Sequence, residues 1–318
     1  MRKSFTLILI LFSLFFYSCH FDSDSKEGGS STKGIISISG AFALYPITVK
    51  WAEEYKKLHP GIRIDISAGG AGKGMTDALS KMVDIGLVSR EIYDEEIKNG
   101  AWSIAVTKDA VLPTISALHP QLNEILSKGI TKKTLEDIYI TGSCKTWAQA
   151  GIQSQLHLHT YTRSDAAGAA ESWAKYFGRK QEDLKGIGVF GDPGVAQAVQ
   201  KDPAGIGYNN MIYIYDPQTK KQTNGVRVLP IDFNNNGKID PEENFYDSMD
   251  DIANAIASGK YPSPAARDLY FVSKGKPQNK RVLQFIEWVL TDGQKYVHDA
   301  GYINLSKESI DASLEKLK

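Results

Sequence analysis

Twelve consecutive residues carry the sharpest chemical pattern in the chain: Asp232-Phe233-Asn234-Asn235-Asn236-Gly237-Lys238-Ile239-Asp240-Pro241-Glu242-Glu243. Oxygen-bearing side chains stand where a calcium loop of the EF-hand type needs them. Asp232, Asn234, Asn236, Asp240 and Glu243 fall at positions 1, 3, 5, 9 and 12, and Lys238 at position 7 offers its backbone carbonyl. Gly237 allows the sharp turn, and Ile239 fills the apolar position. The spacing predicts a Ca2+ site; the alternative is an Asn-rich surface turn. Gly225 to Ile231, just before it, reads as a strand and not as a helix. The loop is therefore expected to be a structural staple and not half of a paired, signalling hand.

A second chemistry is suggested by three loops of one design. Ser39-Gly40-Ala41-Phe42-Ala43-Leu44, Gly69-Gly70-Ala71-Gly72 and Arg163-Ser164-Asp165-Ala166-Ala167-Gly168-Ala169 each follow a strand-like run and open a helical one. A helix N-terminus presents unpaired N–H donors and partial positive charge, so it attracts anions. Small residues let the backbone approach a ligand closely. Taken singly, each loop is an ordinary strand-to-helix turn.

The framework that must hold these loops is legible in the apolar spacing. Gly34–Gly40 is a short β-type run. Ile47, Trp51, Tyr55 and Leu58 share one helical face behind Pro46, a residue suited to a first turn. Ile62–Ile66 alternates like a strand, a helix runs through Ala78 to Met82, and Asp84–Val88 is another strand. The same grammar returns with a strand over Leu156–Thr162, helices over Ala169–Phe177 and Val195–Val199, and a strand over Gly205–Tyr208. Arg281–Leu290 and Asp292–Ala300 are expected to form a helical hairpin. Strand, loop, helix, strand is the α/β pattern, and open α/β sheets bind ligands at the carboxyl ends of their strands.

With 318 residues, 23% charged against 42% hydrophobic, the chain is long enough for two cores of ordinary globular composition. Lys and Arg together number 37, as do Asp and Glu, so no basic excess points to nucleic acid. The N-terminus reads as a targeting segment. Arg2 and Lys3 precede an apolar run from Phe5 to Tyr17 that is short for a membrane span. Residues 20–33, which include Gly28-Gly29-Ser30-Ser31, read as a flexible tether.

Several motifs in register then carry a resemblance. Ser39-Gly40, Pro46-Ile47, Lys50-Trp51-Ala52, Gly69 to Gly74, Asp84-Ile85-Gly86, Ser89-Arg90-Glu91, Thr162 to Asp165, Ala204 to Tyr208 and Gly301-Tyr302 occur in order. From about Gly34 to about Leu305 the chain resembles the phosphate-binding periplasmic component of ABC transporters. The resemblance implies a two-lobed type II periplasmic-binding-protein fold, each lobe a mixed sheet flanked by helices, with a two-strand hinge. Residues 34–112 and 268–318 would form the first lobe and 113–267, with the calcium loop 232–243, the second. The crossings would fall near Ile104–Pro113 and Arg267–Lys274.

Phe15 to Cys19 resembles a lipoprotein cleavage box, with Phe16 where Leu is usual and Tyr17 where a small residue is usual. Residues 1–19 would then be the signal segment through a lipidated Cys19. The implied function is capture of an inorganic oxyanion, phosphate foremost, for an ABC permease. The protein would be a monomer tied only by lipid to a bacterial membrane, in the periplasm or at the outer-membrane surface, and not an enzyme. The alternative is a binding or interaction lipoprotein of the same fold that has lost phosphate or takes another ligand.

Carried over position by position, the family's ligand residues fall on Phe42, Ala43, Ala71, Ser89, Arg163, Ala167, Gly168 and Ala169. Arg163 and the backbone donors persist, whereas the family's hydroxyls and its proton-accepting carboxylate do not. Each lost hydrogen bond to a charged group is worth ~1.5–3 kcal/mol. Ser39, Ser67, Ser89, Ser164 and Lys73 are the remaining donors within reach. Without an acceptor for the phosphate proton, discrimination against sulfate is expected to be lost.

The other signals are bland. Cys144 has no neighbouring His to activate it and reads as structural. His157 and His159 would share one face of a strand without a third ligand. Trp51, Trp147, Trp173 and Trp288 read as core, and no nucleophile–base pair is evident.

Overall fold

A computed structural model describes residues 34–261 and 266–318. The signal segment, the tether and Cys19 lie outside the described residues. The first third of the fold comprises β1 (Gly34–Gly40), α1 (Tyr45–Leu58), β2 (Ile62–Ala68), α2 (Ala71–Leu79), β3 (Ile85–Val88), α3 (Asp94–Lys98) and the long β4 (Ala101–Ser116). Next come α4 (Leu122–Lys128), β5 (Ile130–Thr131), α5 (Lys132–Glu136), β6 (His159–Arg163), α6 (Gly168–Tyr176), β7 (Ile187–Val189), α7 (Gly191–Lys201) and β8 (Gly205–Asn210). The chain closes with β9 (Val226–Val228), β10 (Ile231–Asp232), α8 (Met249–Ala257), β11 (Ala266–Lys274), α9 (Lys280–Leu290) and α10 (Lys307–Glu315).

The strands follow the order β2-β1-β3-β11-β4-β8-β6-β7, with β9 paired to β4. β1 is parallel to β2 and β3, and β6 is parallel to β7 and β8. β11 and β4 run antiparallel to their neighbours and to each other. Two cores divide this sheet. Ile36, Leu44, Trp51, Leu87, Ile104, Val106, Phe271 and Phe285 belong to one. Val111, Leu112, Trp147, Trp173, Tyr208, Met211 and Ile252 belong to the other. β4 therefore leaves the first core after Val106 and enters the second at Ala110. Asp109 stands at the passage, paired across the ladder with Arg267 of β11. The outcome is the expected two-lobed α/β fold with two hinge strands.

The elements form for local reasons. α1 has Pro46 in its first turn and buries Ile47, Trp51 and Tyr55, while Lys56 and Lys57 complement its C-terminal dipole. All four tryptophans read as core, at positions 51, 147, 173 and 288, are buried. Two expectations shift. Strand structure begins only at His159, and His157 makes one isolated bridge to Thr146. Past α9 the predicted second helix is a short 3-10 turn over Asp292–Tyr296. There the Gly293 carbonyl accepts the Trp51 indole N–H at 2.9 Å, an interaction that draws it out of a helical ladder. Among the described residues no helix is long and apolar enough to cross a membrane.

Candidate functional site

The first loop is fixed by a very close backbone approach. Gly40 has φ +136°, and a side chain there would strike the Leu87 carbonyl and the Cα of Gly74, so only glycine fits. Its own carbonyl accepts the N–H groups of Gly69 and Gly70 at 2.9 and 3.1 Å, which ties the Gly-rich loop to the end of β1. Ala43 is buried, and its carbonyl takes the Tyr302 hydroxyl at 2.7 Å; the Phe42 carbonyl takes the Tyr213 hydroxyl at 2.9 Å. The Phe42 ring meets Phe190 edge-on, centroids 5.7 Å apart, and lies 5.5 Å from the Arg163 guanidinium carbon.

The N-termini of α2 and α6, one from each lobe, converge. Gly72 donates its N–H to the Ala166 carbonyl at 3.0 Å. Gly168, the first residue of α6, lies against Ser89, which follows β3. Lys175 reaches Glu91 across the same divide at 2.6 Å. Ala71 opens α2, Ala167 caps α6, and Ala169 lies in its first turn; all three side chains are buried in the lobe cores. Neither helix has a side-chain cap, so small residues leave donors of the first turns to the backbone's surroundings. Phe42, Ser89, Arg163 and Gly168 thus meet at one seam between the lobes, with Ala71, Ala167 and Ala169 at the helix starts that flank it, whereas Ala43 is buried within the first lobe.

Arg163, at the end of β6, is at the centre of that seam but is already paired. Its Nε and one terminal nitrogen grip Asp165 in a fork, at 2.8 and 2.5 Å. The other terminal nitrogen bonds Asp192 in the first turn of α7. Asp165 also accepts the Gly191 N–H at 3.2 Å. Asp192 receives the Asn210 amide at 2.7 Å, and Asn210 in turn accepts from Arg267. Arg267 completes the chain with Asp109 at 2.9 Å and Ser172 at 3.0 Å. Sequence reasoning missed this network. Asp192 sits in Gly191-Asp192-Pro193-Gly194, which reads as a turn. The available signal was Asn209-Asn210 on an otherwise buried strand, since buried amides demand partners.

The substitute donors are mostly committed elsewhere. Ser39 donates to Asp77 at 2.6 Å, and Lys73 pairs with the same carboxylate. Ser67 and Ser164 are exposed, and Ser89 is buried at the seam. His159 pairs with Asp202 at 2.7 Å and is exposed, as is His157. Cys144 is half-buried, and burial pushes its thiol pKa upward, away from reactivity.

The loop 232–243 is anchored by pairing of β10 with β5 and by the Ile239 N–H donating to the Ser127 carbonyl at 2.8 Å. Asn235 and Gly237 both have positive φ. Glu243 accepts the Phe233 and Asn234 N–H groups at 2.9 and 3.1 Å, and Asp232 accepts those of Asn236 and Gly237 at 3.2 and 2.9 Å. Asp240 takes the amides of Asn234 and Asn236 at 2.9 and 2.6 Å and the Lys238 ammonium at 2.6 Å. Among the described residues no three His, Cys, Asp or Glu side chains converge as a metal-holding group. The donor set suits a hard cation, but rotation of both Asn amides and release of Lys238 would have to come first.

Two lobes on two hinge strands, meeting at opposed helix N-termini, define a bilobal solute-binding architecture. The family profile described as the PBP superfamily domain matches residues 25–293, and the chain belongs to that family. The phosphate-binding protein PstS of Bacillus subtilis is 28% identical over 285 residues, covering 89% of this chain and 84% of its own length. PstS of Borreliella burgdorferi is 25% identical over 314 residues, covering 96% and 99%. A Clostridium perfringens structure, assigned as a phosphate ABC transporter substrate-binding protein and solved with bound phosphate, superposes with a TM-score of 0.71 at 21% identity. It covers 86% of this chain and 100% of its own. An ABC-type phosphate transport receptor from Vibrio cholerae gives 0.61 at 18%, covering 85% and 100%.

Proposed function

We propose that this chain is an extracytoplasmic solute-binding protein that captures phosphate and delivers it to an ABC permease. The observation that carries the reading is the seam itself. Two uncapped helix N-termini from opposite lobes meet beside a buried guanidinium, an arrangement suited to an oxyanion. The relatives' names agree with it. On this reading the role is binding and release. Calorimetric titration of protein lacking residues 1–33 with phosphate tests the reading. Saturable binding with one site per chain is expected, and its absence would overturn it.

A second reading is favoured by Phe42, which packs over Arg163, and by the two carboxylates that already satisfy that arginine. On this reading the fold is retained while phosphate affinity is weak or another ligand is taken. The N-terminal sequence supports a lipid anchor on Cys19, with the body held off a bacterial membrane by the tether and working as a monomer. Metabolic labelling with a radioactive fatty acid, lost in Cys19→Ala, checks the anchor. The loop from Asp232 to Glu243 is proposed to hold one Ca2+ as a structural staple of the second lobe.

A further inference from the structure

The edge of the first lobe opposite the seam carries an unbalanced charge. β1, β2 and β3 run parallel, so their N-terminal ends and the C-terminal ends of α1 and α2 share one edge. β11 is antiparallel to β3 and brings its own C-terminal end, with the turn into α9, to the same edge. Lys56 and Lys57 lie in the last turn of α1, Lys81 follows α2, Lys274 ends β11, Lys276 lies in the turn and Lys280 opens α9. From Leu269 to Ile286 the chain holds no Asp or Glu. Lys81, Lys274 and Lys276 line one hollow of about 310 Å3, whose acidic lining residue, Asp84, already accepts the backbone N–H and the hydroxyl of Ser37 at 2.8 Å. Of these lysines only Lys57 has an ion pair among the described residues, with Glu54 at 2.8 Å, and Lys274 donates to the Asn99 carbonyl. The chain as a whole has no net charge, so the excess is local. Leu58 and Met82, 63% and 73% exposed, stand next in sequence to Lys57 and Lys81.

We infer that this edge docks on an anionic membrane surface. The lysines would engage phospholipid phosphates, and Leu58 and Met82 would enter the headgroup layer. The inference takes its setting from the extracytoplasmic, tethered reading above. Gly34, against the Arg281 side chain, begins β1 at this edge, so residues 20–33 join the body here. A flexible chain of that length has a mean span of about 20 Å, which holds the basic edge, and not the seam, near a lipid on Cys19. Docking would turn the carboxyl ends of β1, β2 and β3, and the seam with them, away from the lipid.

The test is co-sedimentation of the body lacking residues 1–33 with vesicles of phosphatidylcholine alone or mixed with phosphatidylglycerol. Both cores are built from Ile36 onward, so that body keeps its fold. Binding is expected to the mixed vesicles only, and it should be lost at about 1 M salt, where the Debye length is about 3 Å. Lys81→Gln with Lys276→Gln and Lys280→Gln should weaken it about a hundredfold, since one lysine near an anionic surface contributes about fivefold. Lys81→Arg with Lys276→Arg and Lys280→Arg should preserve it. Leu58→Ser with Met82→Ser should cost about tenfold. Lys145→Gln with Lys185→Gln and Lys201→Gln, exposed lysines of the second lobe, should change nothing. No binding to mixed vesicles, a first-lobe glutamine or serine variant that binds like the wild type, or an equal loss in the second-lobe variant overturns the inference. The body tested has no Cys19, so a chain that takes up no fatty acid label overturns the anchor and leaves the vesicle result standing.

Discussion

Gly168 of α6 lies so close to Ser89 that a methyl group on its Cα would come 2.2 Å from the Ser89 carbonyl oxygen and 2.3 Å from its hydroxyl. The two residues belong to different lobes. Closure of the seam thus depends on the absence of one side chain. Gly168→Ala should destabilise the closed form by about 1–3 kcal/mol, the usual cost of overpacking. Phosphate affinity should fall about tenfold to a hundredfold. Calorimetry reads the loss, and small-angle scattering of the phosphate-loaded protein should show a larger radius of gyration than the wild type.

Removing Arg163 leaves Asp165 and Asp192 buried without their cation. Breaking a buried pair in this way typically costs about 3–5 kcal/mol. Arg163→Ala should therefore unfold at a clearly lower urea concentration. Adding Asp192→Asn to it should recover part of the loss, because one of the stranded charges is then gone. A denaturation midpoint equal to the wild type's would mean that the guanidinium is not paired in solution.

Calcium should stabilise the second lobe through the loop from Asp232 to Glu243. A ligand that binds only the folded state adds about 2.7 kcal/mol at a hundredfold excess over its Kd. Chelator should lower the melting temperature, and Asp232→Ala with Glu243→Ala should abolish that response. Binding should also free Lys238 from Asp240, visible as a shift of the Lys238 side-chain resonance. A melting curve indifferent to calcium and to chelator would leave the loop an Asn-rich turn.

Without calcium, the Asp240 carboxyl should titrate at about 2, below its ordinary value, because Lys238 pairs with it and the amides of Asn234 and Asn236 donate to it. A carboxyl depressed in the folded state contributes stability above its unfolded pKa. That contribution fades as pH falls through the ordinary carboxylate range towards the folded value. An NMR titration of the Asp240 carboxyl should show the low midpoint, and Lys238→Ala should move it back up.

The sequence made the framework legible because apolar spacing and small-residue loops act locally. Ile47, Trp51 and Tyr55 are buried where their helical spacing placed them, but Leu58 at the end of that face is exposed; α2 begins at Ala71, inside the loop read over Gly69–Gly72, and ends at Leu79, short of Met82. Of the carried-over residues, Phe42 meets Arg163 and Ser89 meets Gly168 across one seam. The partners of Arg163 were harder to read. Asp192 lies 29 positions away, in a Gly-Asp-Pro-Gly stretch whose local meaning is a turn. Its pairing exists only once α7 docks against β6. The turn that replaces the predicted helix after α9 has the same kind of cause, since a distant indole competes for the Gly293 carbonyl.

The placement of β11 between β3 and β4 has a consequence for how the chain reaches its final form. Every strand and helix of the second lobe is synthesised before β11 emerges, so that lobe can condense while the first is still incomplete. Until then β3 and β4 both present unpaired edges, and the apolar faces that Phe271 and Phe285 will cover remain open. Such half-built sheets are the species that pair wrongly or aggregate. A chain crossing a membrane before it folds would escape most of that exposure time if the C-terminal segment follows without pause. A chain stalled short of Ala266 would not, and it would be the natural target of quality-control proteases.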